Sequence, residues 1–243
     1  MNMLLSLGIW ALCMPAPGDT IPLSALGEWS FALKGEGGQS YSRTSWEKFY
    51  SYCFSLTEDF SSVVIPARPS GNWRLLIVGK GLTLKKATRA LSDIFQVKNV
   101  IDGDLDTVVY DIRAIPRPYA LWVLDSPDPE YMGWPAASVD SARLTGMTLC
   151  ERLLYEAVFY KETGVHPDLQ TVTLCSGSRH SLGYVPCVRF WGNVHNSSGM
   201  FLDEKAGMIH LPVLMSGAGK VIISLDKPAN SWAICGIREV VWQ

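Results

Sequence analysis

The stretch Thr171-Val-Thr-Leu-Cys-Ser-Gly-Ser-Arg-His180 gathers a thiol, two hydroxyls, a guanidinium and an imidazole at the end of an apolar strand pattern. A second strand pattern, Gly183-Tyr-Val-Pro-Cys-Val-Arg-Phe-Trp191, follows at once. Reactive side chains clustered where a strand ends are held by a rigid scaffold, which is how sites are commonly built. Two chemistries suit these residue types. In a hydrolase or transferase, Cys175, Ser176 or Ser178 is the candidate nucleophile, with His180 or a distant His as its base. In an anion site, Arg179 with the hydroxyls of Ser176 and Ser178 grips a phosphate or carboxylate. Alternation along a strand sends Cys175 and Ser176 to opposite faces, so they cannot share one pocket. Neither G-x-S-x-G nor a thiol-protease surround is present. The purely structural alternative is a polar turn whose hydroxyls satisfy backbone groups. It expects Arg179 near the surface and paired with Glu151 or Glu239, because an unpaired buried guanidinium is too costly.

Other motifs carry less. Gly79-Lys-Gly-Leu-Thr83, between a strand and a helix, has the position of a phosphate loop but lacks G-x-x-x-x-G-K-[ST], so a tight capped turn is the better reading. Ser216-Gly-Ala-Gly-Lys220 has strand patterns on both sides and reads as a Gly-rich hairpin. Asp102-Gly-Asp-Leu-Asp106 opens like a calcium loop, but Arg113 stands where the bidentate Glu belongs, and a solvated acidic turn is expected. His166, His195 and His210 have no ligand spacing and no C-x-x-C occurs, so no metal and no cofactor is expected.

The elements that position these residues follow from pattern. Residues 46–60 have a helical apolar period at 46, 49, 50, 53, 54 and 56. Strands are expected at 73–78, 107–112, 119–124, 171–175, 185–191, 208–213, 220–225 and 232–241. Thr83 caps a helix with Leu84, Ala87, Leu91 and Ile94 on one face. Thr148-Leu-Cys-Glu151 is a capping box opening a helix that runs to about Thr163 and stops at Gly164. Residues 126–146 read as a long surface loop. Helices paired with strands first, then strands alone, predict an α+β fold with a mixed or largely antiparallel sheet and two or three packed helices. The breaker cluster Pro66-Ala-Arg-Pro-Ser-Gly71 suggests an N-terminal segment, 1–70, of small strands plus one helix, before a main α+β domain, 71–243.

Composition bounds the function. The chain has 243 residues, 48% of them apolar and 18% charged, with a formal net charge of −2. It is long enough for a real core, and the weak overall charge argues against a general grip on nucleic acid. A local basic stripe of Arg68, Arg74, Lys80, Lys85, Lys86 and Arg89 ranks last among the readings. The cysteines at 13, 53, 150, 175, 187 and 235 have mostly apolar neighbours and read as reduced core thiols, which favours a cytoplasmic, soluble chain. Residues 3–14 resemble the apolar core of a signal peptide but have no preceding basic residue and are too short to span a bilayer. A buried first element is preferred, and export is the alternative. Asn196-Ser-Ser198 is a glycosylation pattern that would matter only on export.

Leu75-Leu-Ile-Val-Gly-Lys-Gly-Leu-Thr83, Tyr119-Ala-Leu-Trp-Val123, Thr148-Leu-Cys-Glu-Arg-Leu-Leu154, Glu162-Thr-Gly-Val-His166, Thr173-Leu-Cys-Ser-Gly-Ser-Arg179, Val185-Pro-Cys-Val188 and Arg238-Glu-Val-Val241 together resemble a group of uncharacterised bacterial proteins. The resemblance covers roughly residues 73–243 and implies a domain extent and a bacterial or phage origin, with no activity attached. The group carries an acidic, Gly-containing turn after the Arg, where this chain has His180-Ser-Leu-Gly183. The leading functional expectation is a non-enzymatic interaction or structural protein, a subunit of a larger assembly with a protein partner or self-association, because aromatic residues are many and charge is low. The runner-up is a small hydrolase or transferase acting on an anionic substrate at the 175–180 turn.

Overall fold

The computed structural model describes residues 42–113, 115–192 and 219–242. The expectations for residues 1–14, the strand at 208–213, most of the 216–220 hairpin, Asn196, His195, His210 and Cys13 lie outside the described residues.

Helix α1 (Arg43–Phe54) is capped by Ser42, whose hydroxyl accepts from the Ser45 N–H. Trp46, Phe49, Tyr50 and Phe54 form its buried stripe. It ends six residues before the expected limit because Ser55 turns left-handed at φ 52°. The Tyr50 hydroxyl donates to the Ile77 carbonyl at 2.9 Å and accepts from the Gly79 N–H at 2.8 Å. Residues on both sides of the 66–71 breaker therefore share one core.

Strand β1 (Trp73–Val78) leads through the 79–83 turn into α2 (Leu84–Ser92), capped by Thr83 as its sequence predicts. Next come β2 (Gln96–Asn99), the one-turn α3 (Leu105–Val108), β3 (Val109–Asp111) and β4 (Tyr119–Leu124). The strand expected over 107–112 is thus split, because Asp104 accepts from the Asp106 N–H and starts a helical turn first. A short α4 (Ser138–Ser141) precedes α5 (Leu149–Thr163), which has both halves of its capping box and a left-handed Gly164 at φ 73°. Strands β5 (Val172–Leu174), β6 (Ser178–His180), β7 (Val185–Trp191), β8 (Lys220–Asp226), β9 (Cys235–Ile237) and β10 (Val240–Trp242) complete the described chain.

Among the described residues these strands form three sheets, and the fold is α+β. In the first, β4 lies between β1 and β10, antiparallel to both. The second runs β2-β8-β7-β5-β9 and is mixed, with parallel pairs β2/β8 and β5/β9. The third is the antiparallel pair β3/β6. The single strand expected at 232–241 breaks at Arg238 and Glu239, so its halves serve different sheets. Helix α5 passes between sheet elements, touching β1, β7 and α2, and is buried on every side from Leu149 to Phe159. The expected surface loop at 126–146 instead lays Ala136, Val139, Tyr131 and Leu144 over a second apolar cluster with Val172, Leu174, Val185 and Ile237.

Burying α5 completely also buries its charges, which must then be paired. The Arg152 guanidinium donates to Glu156 at 2.7 Å and to Asp168 at 2.7 and 3.1 Å. Arg238 donates to the other Asp168 oxygen at 2.8 Å, to Thr173, and to the Ser126 and Pro127 carbonyls. Burial alone would raise the Asp168 carboxyl, but Arg152 and Arg238 outweigh it and hold the carboxyl below its ordinary range. His166 closes the network with Nδ1 2.6 Å from Glu156, its ring stacked on Phe190.

The five described cysteines are unpaired, and Cys150, Cys175, Cys187 and Cys235 are buried. Among the described residues no helix is long and apolar enough to cross a membrane.

Candidate functional site

Residues 175–180 do not form one constellation. Cys175 is wholly buried, and burial pushes its thiol well above its ordinary pKa, which removes the thiolate a nucleophile needs. The Ser176 hydroxyl is buried with no hydrogen-bond partner among the described residues and presses on Gly146, where an added Cβ would lie 1.8 Å from its oxygen. Ser178 accepts from the Leu149 N–H at 2.8 Å and donates to Asp111 at 2.5 Å. His180 is buried, and its Nδ1 accepts from the Leu182 N–H. No imidazole among the described residues hydrogen-bonds Cys175, Ser176 or Ser178. Arg179 is corrected most clearly. Its guanidinium donates to the Ser176 and Ser178 carbonyls, each at 2.8 Å, and meets neither expected acid. β6 pairs with β3 and sets Arg179 opposite Tyr110, away from α5.

Arg113 takes the role expected of Arg179. One of its nitrogens reaches both Glu151 oxygens at 2.7 Å and another donates to the Gly146 carbonyl at 2.6 Å. Glu151, fully buried, also accepts from the Tyr119 hydroxyl at 2.7 Å and from the Thr148 N–H at 2.7 Å. Glu239 accepts instead from the Tyr131 hydroxyl at 3.0 Å.

These contacts form the floor of a cleft of about 450 Å³ between the 78–84 segment and the 109–119 segment. Val78, Leu82, Leu84, Val109 and Ile115 give it apolar walls, and Lys80, Asp111, Arg113, Arg117 and Tyr119 give it polar ones. The register Asp111↔Ser178 fixes one carboxylate oxygen of Asp111 on the Ser178 hydroxyl. The other oxygen, Oδ2, has no hydrogen-bond partner among the described residues. Burial raises the Asp111 carboxyl to about 6 and the Glu151 charge adds to the rise, while Ser178 and Arg113 oppose it. Lys80 and Arg117 are exposed and make no ion pair or hydrogen bond within the described residues. Cys150 also lines the cleft, but burial and then the neighbouring Asp111, Glu151 and Asp106 carboxylates push its thiol well up, so it stays protonated.

The 79–83 turn is the cleft's rim, yet not as a phosphate loop. The Gly79 and Gly81 N–H groups are taken by Tyr50 and by Glu58, at 2.8 and 2.7 Å. Asp106 accepts from the Lys85 N–H and Thr83 from the Lys86 N–H, so the first turn of α2 is capped internally. Arg74, expected in a basic stripe, is buried against Asp125 and Glu162.

Asp111, Arg113, Tyr119 and Arg117 match no site motif in the sequence. The available signals were the Asp111-Ile-Arg113 spacing at a strand end and the Pro116-Arg-Pro118 turn, which holds a cation beside that end. No family model matches this chain, and no curated protein or solved structure matches it significantly.

Proposed function

We propose that this protein binds a small anionic ligand in the cleft between residues 78–84 and 109–119. The observation that carries the reading is the contrast within the cleft: the Arg113 charge is paired with Glu151, while Lys80 and Arg117 line the same space with no carboxylate partner among the described residues. Cations without protein partners beside a low-dielectric wall attract an anion more strongly than the same cations in open water. A volume of about 450 Å³ suits a ligand with an organic part as well as a charged head. This keeps the anionic ligand class foreseen for the 175–180 turn and moves it one strand away, with Ser178 acting from behind through Asp111. Calorimetric titration with inorganic phosphate, a sugar phosphate and a dicarboxylate tests the reading. Saturable binding lost in the Lys80→Ala/Arg117→Ala double variant supports it, and no binding of any of the three at millimolar concentration overturns it.

A second reading, interaction within a larger assembly, draws on a separate surface. Trp134 and Trp232 are 41% and 40% exposed, and their loops are joined by the Ala137 N–H to the Pro228 carbonyl and by Ser231 to Gly133. Two exposed tryptophans on joined loops suit the anchor of an interface, where tryptophan is enriched. Sedimentation of the Trp134→Ser/Trp232→Ser variant against the parent tests self-association, and a monomeric parent overturns it. A reducing compartment fits the four buried thiols and the partly buried Cys53, whose thiol desolvation raises to about 11. A bacterial or phage origin rests on the sequence resemblance alone.

A further inference from the structure

We infer that the ligand of the cleft is a phosphate monoester, held by one proton shared between a phosphate oxygen and Asp111 Oδ2, with Lys80 and Arg117 on the remaining oxygens. The inference rests on the anion-binding reading above and adds to it the ligand class and the proton.

The geometry around Asp111 leaves one route for that proton. Oδ1 is fixed by the Ser178 hydroxyl at 2.5 Å, and that hydroxyl is itself fixed by the Leu149 N–H at 2.8 Å in the first turn of α5. The carboxyl group is therefore aimed by two elements, β6 and α5. The neighbouring donors that are hydrogen-bonded serve other acceptors, while the Arg113 Nε–H is buried with no partner among the described residues. Arg113, two residues on, serves Glu151 and Gly146, and the Tyr119 hydroxyl of β4 serves Glu151. The other charged or titratable groups facing the cleft are Asp106 of α3, Cys150 of α5, Lys80 and Arg117 of the two rims, and Tyr110 of β3. Glu151 adds a negative charge just behind the floor.

An ionised Asp111 would repel any anion drawn in by Lys80 and Arg117. A proton placed between the two turns that repulsion into a charge-assisted hydrogen bond. A phosphate monoester suits the task because its second ionisation lies near 6, so its oxygen and an Asp111 carboxyl raised to about 6 compete evenly for one proton. A sulfate monoester has the same shape and keeps no proton at these pH values. The apolar walls, Leu82, Leu84 and Ile115, leave room for the organic part of the ester.

Titration calorimetry of the intact chain with a sugar phosphate, inorganic phosphate and a sugar sulfate, each in two buffers of different ionisation enthalpy, tests the inference. Above pH 7 both groups are ionised when apart, so the sugar phosphate is expected to take up about one proton on binding, and its affinity to fall about tenfold per pH unit. The sugar sulfate is expected to bind far more weakly. Inorganic phosphate is expected to show the same proton uptake with lower affinity, and equal or higher affinity for it overturns the ester as the ligand. Asp111→Asn keeps an oxygen for Ser178 and removes the titration, so its affinity is expected to be flat over the same range. Binding of the sugar phosphate without proton uptake, or an unchanged slope in Asp111→Asn, overturns the shared proton and leaves the anion-binding reading standing. Absence of binding by every anion at every pH overturns both.

Discussion

Around Asp168 every charged atom has a partner, and around Asp111 the partners run out. Both carboxylates sit beside arginines, and both are aimed by a hydroxyl, Thr173 in one case and Ser178 in the other. Asp168 lies between two guanidiniums that also satisfy Glu156, Thr173 and the carbonyls of residues 126 and 127. Asp111 has one arginine in reach, and Glu151 has taken it. The environments push the carboxyls in opposite directions: Arg152 and Arg238 pull Asp168 down against burial, while burial and Glu151 push Asp111 up. A closed network of this kind fastens α5 to the strands around it. An open one, with a free carboxylate oxygen and unpaired cations on a cleft, stays available to a ligand.

Breaking the closed network gives the largest effect. Asp168→Ala leaves Arg152 and Arg238 facing each other in the core, and is expected to destabilise the fold by about 3–5 kcal/mol in denaturant titrations. Because the folded pKa of Asp168 is depressed, its contribution is present above the ordinary carboxyl range and is lost as pH falls through the lower folded value.

Asp111→Asn sharpens the comparison from the other side, with opposite sign. A carboxyl raised from 3.8 to about 6 favours the fold at low pH, and this is lost as pH rises through 6. By pH 8 the ionised group is worth about 3 kcal/mol against folding. The variant is therefore expected to be more stable than the parent at pH 8 by up to that amount, and to match it below pH 4. Melting curves at both pH values check this.

Arg179→Ala is expected to have the smallest effect, under about 1 kcal/mol, since a half-buried guanidinium then releases two carbonyls and no carboxylate. Phosphate binding should not change. A larger loss of stability, or loss of binding, would return Arg179 to the centre of the site.

What the sequence made legible was local. The Thr83 cap, the Thr148/Glu151 capping box and Gly164 are short-range signals: α2 and α5 begin by them and α5 ends by Gly164, while α2 stops at Ser92, before the expected Ile94. Apolar runs placed β1, β4 and β7 at their observed limits. β2 is too polar to show a period and forms by pairing with β8. β6 reads as a turn and becomes a strand because β3, almost seventy residues earlier, lies beside it. That pairing decided the site. Ser178 was a candidate from its type, but its partner Asp111 and the choice of Arg113 over Arg179 for Glu151 depend on which strands meet, which no local pattern encodes.

The most direct test is a carbon-detected NMR titration of the Asp111 carboxyl, with and without a sugar phosphate. A midpoint near 6 that moves upward when the phosphate is added is the predicted result. A midpoint in the ordinary range near 3.8 that ignores the phosphate would contradict the account.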